Sequence, residues 1–128
     1  MELKHNIVGW FEIPVTDMAR AIQFYENVFG IKLQREKMGP LDMAWFPWVE
    51  NSVGAGGSLV YDPENYKPTA DGVLIYLTTA TGDIDEDLQR VVANGGQAIM
   101  PKTLISPEIG YMGIFIDSEG NRLALHAH

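Results

Sequence analysis

The sequence predicts an α+β fold: two tandem βαβββ units whose sheets form a concave cleft, with one helix per unit on the outer face. Three observations predict it. A strand-like stretch followed by a capped helix occurs twice in 128 residues. The two helix signals keep a constant offset of 66 residues, Asp17 to Asp83 and Gly30 to Gly96. Each helix is followed by three further stretches with strand-like character. An offset of about half the chain points to a duplicated unit, and each copy alone has too little core to be stable.

The first element is HNIVGWFEIPV, residues 5–15. Its odd positions Ile7, Phe11, Ile13 and Val15 are apolar, while Trp10, Glu12 and Pro14 occupy even positions, so it reads as a strand. TDMARAIQFYENVFG, residues 16–30, reads as a helix. Thr16 or Asp17 can cap it, Met18, Ala21, Ile22, Tyr25, Val28 and Phe29 form its apolar stripe, and Gly30 stops it. Strands follow around IKLQREKM, MAWFPW and GGSLVYD.

The connector DPENYKPTADG is rich in turn formers. GVLIYLTT then reads as a strand and GDIDEDLQRVVANGG as a second capped helix, with Ile84, Leu88, Val91 and Val92 as its stripe. QAIMPKTLI, YMGIFID and RLALHAH complete the second unit. The chain is thus a single domain, residues 1–128, with units at about 5–62 and 72–128 and a linker at about 63–71. Alternation along a strand places Trp10, Glu12 and Pro14 on the cleft face of the first strand. In the last strand it places Ala124, His126 and His128 toward the cleft and Leu123, Leu125 and Ala127 toward the helix.

Hydrophobic content of 46% and charged content of 20% are ordinary for a folded globular chain. A formal charge of -8 argues against a nucleic-acid partner, which would call for a basic footprint. The absence of cysteine removes disulfides, thiolate nucleophiles and Cys-ligated zinc. MELKHNIVGWFEIPV has no signal-peptide grammar, and no apolar run reaches the length of a membrane span, so a cytoplasmic protein with no membrane partner is expected. Gly54, Gly56 and Gly57 lead into no capped helix and no Lys-Ser/Thr, which argues against a phosphate loop.

FEIPVTDMARAIQFYENVFGIKL and GYMGIFIDSEGNRLALHA resemble the vicinal oxygen chelate superfamily, which includes glyoxalase I, extradiol dioxygenases and bleomycin-resistance proteins. The pattern D-x-x-R-A-x-x-F-Y-x-x-V-F-G marks the first unit, and a D-x-E-G-N-R turn before the terminal strand marks the second. The resemblance covers essentially the whole chain. It implies paired βαβββ units lining a cleft, commonly within a homodimer. Metal-using members of that superfamily carry a ligand on the first and last strand of each unit. The matching positions here are Trp10, the strand GGSLVYD with no ligand before Asp62, Leu74 or Tyr76, and Ala124. An indole, an alkyl chain and a methyl group donate no lone pair to a divalent ion, so no metal or other cofactor is expected.

Three residues remain as candidates for chemistry. Glu12, His126 and His128 combine one carboxylate with two imidazoles, a set that suits several transition metals. His128, however, is a chain end prone to fray, and tight metal binding needs rigidly held ligands. Glu12 lies mid-strand on the face carrying Trp10, where a carboxylate costs several kcal/mol unless it is paired or hydrogen-bonded. Facing His126 across a cleft, it would suit general acid–base chemistry. The aromatic residues Trp10, Trp45, Tyr76 and Tyr111, with Ser58, Leu74 and Ala124, are the expected ligand contacts.

The reading is a metal-independent small-molecule binder with an aromatic cleft, forming a homodimer. The alternative is a glyoxalase-like lyase or isomerase acting on a small carbonyl compound through Glu12 and His126. A metal-dependent glyoxalase or dioxygenase is less favoured, because of Trp10, Leu74 and Ala124.

Overall fold

A computed structural model describes residues 2–128 of the chain. The elements run β1 (Phe11–Pro14), α1 (Met18–Phe29), β2 (Gln34–Met38), β3 (Leu41–Trp45) and β4 (Gly57–Tyr61) in the first unit. The second contains β5 (Tyr76–Thr78), α2 (Ile84–Ala93), β6 (Gln97–Ser106), β7 (Gly110–Ile116) and β8 (Arg122–Ala127). The two sheets have equivalent orders, β1-β4-β3-β2 and β5-β8-β7-β6. In each, the first strand lies parallel to the last and the remaining pairs are antiparallel. This is the duplicated α+β architecture that the sequence predicts.

Both helices begin as their sequences dictate. The Asp17 side chain accepts from the Arg20 N–H, and the Asp83 side chain accepts from the N–H groups of Asp85 and Glu86. Gly30 ends α1 in a left-handed conformation, φ 65°, where a residue without Cβ is least strained. The second helix stops differently. Asn94 caps it, Gly95 takes the left-handed turn at φ 95°, and Gly96 is small for another reason. A Cβ on Gly96 would lie 2.5 Å from the Ile116 carbonyl oxygen and 2.7 Å from Val91 Cγ1.

The observed helix stripes depart from the expected ones in two places. Phe24 is buried in α1, where its ring lies 6.2 Å from that of Phe115 on β7. Val92 of α2 is exposed, and Asp87 is buried in its stead. The Asp87 carboxylate accepts from the hydroxyls of Thr79 and Thr81, so its burial leaves no oxygen unsatisfied. One core joins Ile13, Phe24, Tyr25 and Leu59 of the first unit to Ile84, Val91, Phe115 and Leu125 of the second.

The strand preceding α1 is shorter than the alternation suggests. Only Phe11 to Pro14 find partners on β4, and residues 5–10 form no strand. Alternation alone does not provide hydrogen-bonding partners for the backbone.

Candidate functional site

Core contacts divide each sheet into a helix-facing and an open face. Ile13, Ala44 and Leu59 belong to the core, so Glu12, Ser58 and Trp45 must point the opposite way. The strand register aligns these three side by side, with Glu12 opposite Ser58 and Ser58 opposite Trp45. Trp10 adds its ring edge-to-face against Trp45, with centroids 6.1 Å apart and planes at 79°. Tyr66, from the connector, donates its hydroxyl to Glu12 Oε1 at 2.7 Å. That bond to the carboxylate, with some help from burial, raises the phenol's pKa above its ordinary value.

Two polar atoms on this face have no partner. Trp45 Nε1 and Ser58 Oγ are both buried without a hydrogen bond. Each leaves a cost on the order of 1–3 kcal/mol. This aromatic and polar face contains four of the residues singled out in the sequence: Trp10, Glu12, Trp45 and Ser58.

The corresponding face of the second sheet carries Tyr76, Ala124 and His126. Tyr76 lies opposite Ala124 in register, and its hydroxyl reaches Met112 Sδ at 3.6 Å. Ala124 is fully buried despite lying away from the helix. Leu74 precedes β5 and, with Tyr76, Ile7 and Phe11, lines a cavity of about 520 Å³.

Glu12 and His126 are not brought together as the sequence suggested. Glu12 is held by Tyr66, whereas His126 Nε2 lies 2.6 Å from the Ile109 carbonyl oxygen. Since a carbonyl only accepts, His126 Nε2 carries the proton in that bond. The His128 ring packs edge-on against His126 at 4.8 Å. Tyr111 requires a correction as well. It pairs with Ala127 of the core and turns its ring to the helix side, where Lys102 Nζ sits 4.5 Å above it. Being aromatic drew attention to Tyr111, but strand parity places it with Gly113 and Phe115, facing away from the open side.

The cavity bordering Glu12 places it near Arg122 instead. It has a volume of about 200 Å³ and is also lined by Thr69, Val73, Ile75 and Asn121. Arg122 Nε, like Trp45 Nε1 and Ser58 Oγ, is buried without a partner among the described residues. The sequence had presented Arg122 only as the end of a turn motif, and Tyr66 only as part of a linker. Neither stands out in the sequence, because Tyr66 meets Glu12 only across 54 residues and Arg122 reaches the cavity only through the packing of the two units.

The sequence profile of the Glyoxalase/Bleomycin resistance protein/Dioxygenase superfamily matches residues 7–125. The chain belongs to that superfamily. A glyoxylase-like domain-containing protein from Didymella fabae is 26% identical over 125 residues, covering 94% of this chain and 93% of that protein. A glyoxalase I mutant from Zea mays superposes with a TM-score of 0.66 at 20% identity, covering 93% of this chain. This chain spans about half the length of the maize protein, 46%. The antibiotic-binding protein TnmS3 from Streptomyces sp. CB03234 gives a TM-score of 0.63 at 23% identity, covering 98% of both chains. These structural likenesses establish the fold.

Metal-using members of the superfamily hold a divalent ion at the strand positions matched here. Trp10, Ser58, Tyr76 and Ala124 offer an indole, two neutral hydroxyls and a methyl group, a poor donor set for such an ion. Among the described residues no three His, Asp or Glu side chains gather to supply another. The residues do not fit the ion.

Proposed function

We propose that this protein binds a small organic molecule, without a metal, on the open face carrying Trp10, Trp45, Ser58 and Glu12. The observation that carries this reading is the pair of buried, unpartnered atoms, Trp45 Nε1 and Ser58 Oγ, beside a carboxylate and two indole rings. The indoles present flat apolar surface, while the unpartnered donors and Glu12 reward a ligand with matching polar atoms. Metal independence rests on the donor chemistry at these positions. That a similarly folded protein is an antibiotic-binding protein accords with sequestration as the purpose.

A second copy would supply the opposite wall, formed by the Tyr76 and Ala124 face. The free edges of β1 and β5, and the exposed apolar residues around them, favour such a homodimer. A partner on these edges would cover backbone groups that otherwise face solvent.

The test is a thermal-shift screen of aromatic and heteroaromatic compounds on protein purified without added metal. A ligand at 100 times its dissociation constant should add about 2.7 kcal/mol of stability. Trp45→Phe removes the indole donor together with part of the ring surface and should weaken such a hit by about tenfold or more. Stoichiometric tightly bound metal would overturn the metal-free reading. Consumption of the hit during incubation would instead indicate an enzyme.

A further inference from the structure

We infer that the seam between the two units is a second binding site, selective for a small carboxylate that carries a neighbouring hydrogen-bond donor. The site is the cavity of about 200 Å³ between β1 and the start of β8, roofed by the end of the connector. It holds the volume of about six or seven waters, which suits a molecule of a similar number of heavy atoms.

Its polar groups are few and of opposite sign. Arg122 takes part in none of the four ion pairs formed among the described residues. The residue lines the cavity, and its Nε is buried without an acceptor, in a chain of formal charge -8. An unpaired guanidinium at a cavity wall fits a carboxylate, which can accept two parallel N–H bonds from it. Glu12 lies on the facing wall, with Oε1 already accepting from Tyr66. It disfavours a bare anion but accepts a hydroxyl or ammonium proton. Together the two walls select for both ends of a 2-hydroxy acid or a 2-amino acid.

The remaining polar neighbours are already engaged and serve to hold the walls. Asn121 Nδ2 donates to the Pro14 carbonyl at 2.8 Å, and Asn121 Oδ1 accepts from the Thr69 N–H at 3.2 Å. Thr69 Oγ1 accepts from the Asp71 N–H at 3.0 Å. Asn121 therefore ties β1, the connector and β8 together at one end of the cavity. Ile13, Pro14, Val73, Ile75 and Leu123 supply the apolar remainder, which leaves room for a short side chain.

This inference does not depend on the aromatic face binding anything, although Glu12 borders both regions. The experiment follows the Arg122 Nε–Hε signal of the full chain by NMR during titration with glycolate, lactate, serine, acetate and acetamide. Saturable shifts are expected with glycolate, lactate or serine, with a dissociation constant of about 1 mM. Acetate should bind about tenfold more weakly and acetamide not at all. Arg122→Gln should abolish binding, and Glu12→Gln should remove the preference for lactate or serine over acetate. No saturation with any carboxylate, or an equal response to chloride, overturns the proposal. So does a shift confined to the Trp45 indole signal, which would place the ligand on the aromatic face instead.

Discussion

Glu119 shows how one side chain joins the two units. It lies after β7, yet Glu119 Oε1 accepts from the backbone N–H groups of Thr16 and Asp17 at 2.9 Å each, at the start of α1. Arg20 adds a 2.8 Å ion pair from Nε, and Ser118 Oγ donates at 2.8 Å. Burial pushes the carboxyl upward, but Arg20, Ser118 and the two backbone donors outweigh it and hold it at about 2. A carboxyl depressed in the folded state stabilises fully above its unfolded value of 4.5, and this contribution fades as pH falls toward 2. Allowing for the half-exposed Arg20, the contribution is about 2 kcal/mol. Urea melts at neutral pH and near pH ~3 should show that loss, and Glu119→Gln should flatten it. An unchanged pH dependence in the variant would refute the assignment. Nearby, the buried Tyr25 hydroxyl donates to Asp117 Oδ2 at 2.6 Å. Tyr25→Phe should cost about 1–3 kcal/mol in the same melts, because Asp117 loses a donor that it cannot replace from water. A loss below a few tenths of a kcal/mol would show that Asn121 and the backbone already suffice for Asp117.

At the scale of elements, local signals proved legible and cross-strand ones less so. The capped start of each helix, the Gly30 stop and the succession of strands and helices along the chain could be read from the sequence, because capping, turn chemistry and alternation are encoded within a few residues. Phe24 and Asp87 fall outside the expected stripes because another element buries them, β7 for Phe24 and the loop before α2 for Asp87, whereas the parity that turns Tyr111 from the open face is local to β7. The same limit applies to the candidate site. Glu12, Trp10, Trp45 and Ser58 followed from alternation and composition, but the Tyr66 contact to Glu12 spans 54 residues and leaves no local pattern. Gly96 illustrates how a repeat can align two residues with different tasks. Gly30 is a left-handed stop, whereas Gly96 makes room for the Ile116 carbonyl. Gly96→Ala should therefore cost about 1–3 kcal/mol, through movement of α2 away from β7. Gly30→Ala should cost about 1 kcal/mol through backbone strain alone. Chemical denaturation of both variants tests the ranking, which an equal or reversed pair of losses would refute.

The whole molecule has one core but leaves considerable apolar surface around its free strand edges. Val53 is 94% exposed and Val73 90%, and Trp48 and Val49 are also largely in solvent. These residues lie on the loop leading to β4 and on the approach to β5, whose outer edge has no partner strand among the described residues. Isolated exposed valines are commonplace, but several beside an indole and an unpaired edge form the kind of surface that associates. A twofold dimer would use the same patch on both copies. It would also bring additional apolar surface beside the open faces, where a ligand cleft needs a second wall. The expected outcome is sedimentation at twice the 14.2 kDa of one chain. Val73→Glu should shift this species toward the monomer while leaving each protomer folded, because the side chain replaced touches little within its own chain. Ligand affinity at the aromatic face should fall in step with the dimer fraction if the cleft is shared between copies. A monomeric wild-type protein that binds its ligand with undiminished affinity would show that one chain is sufficient.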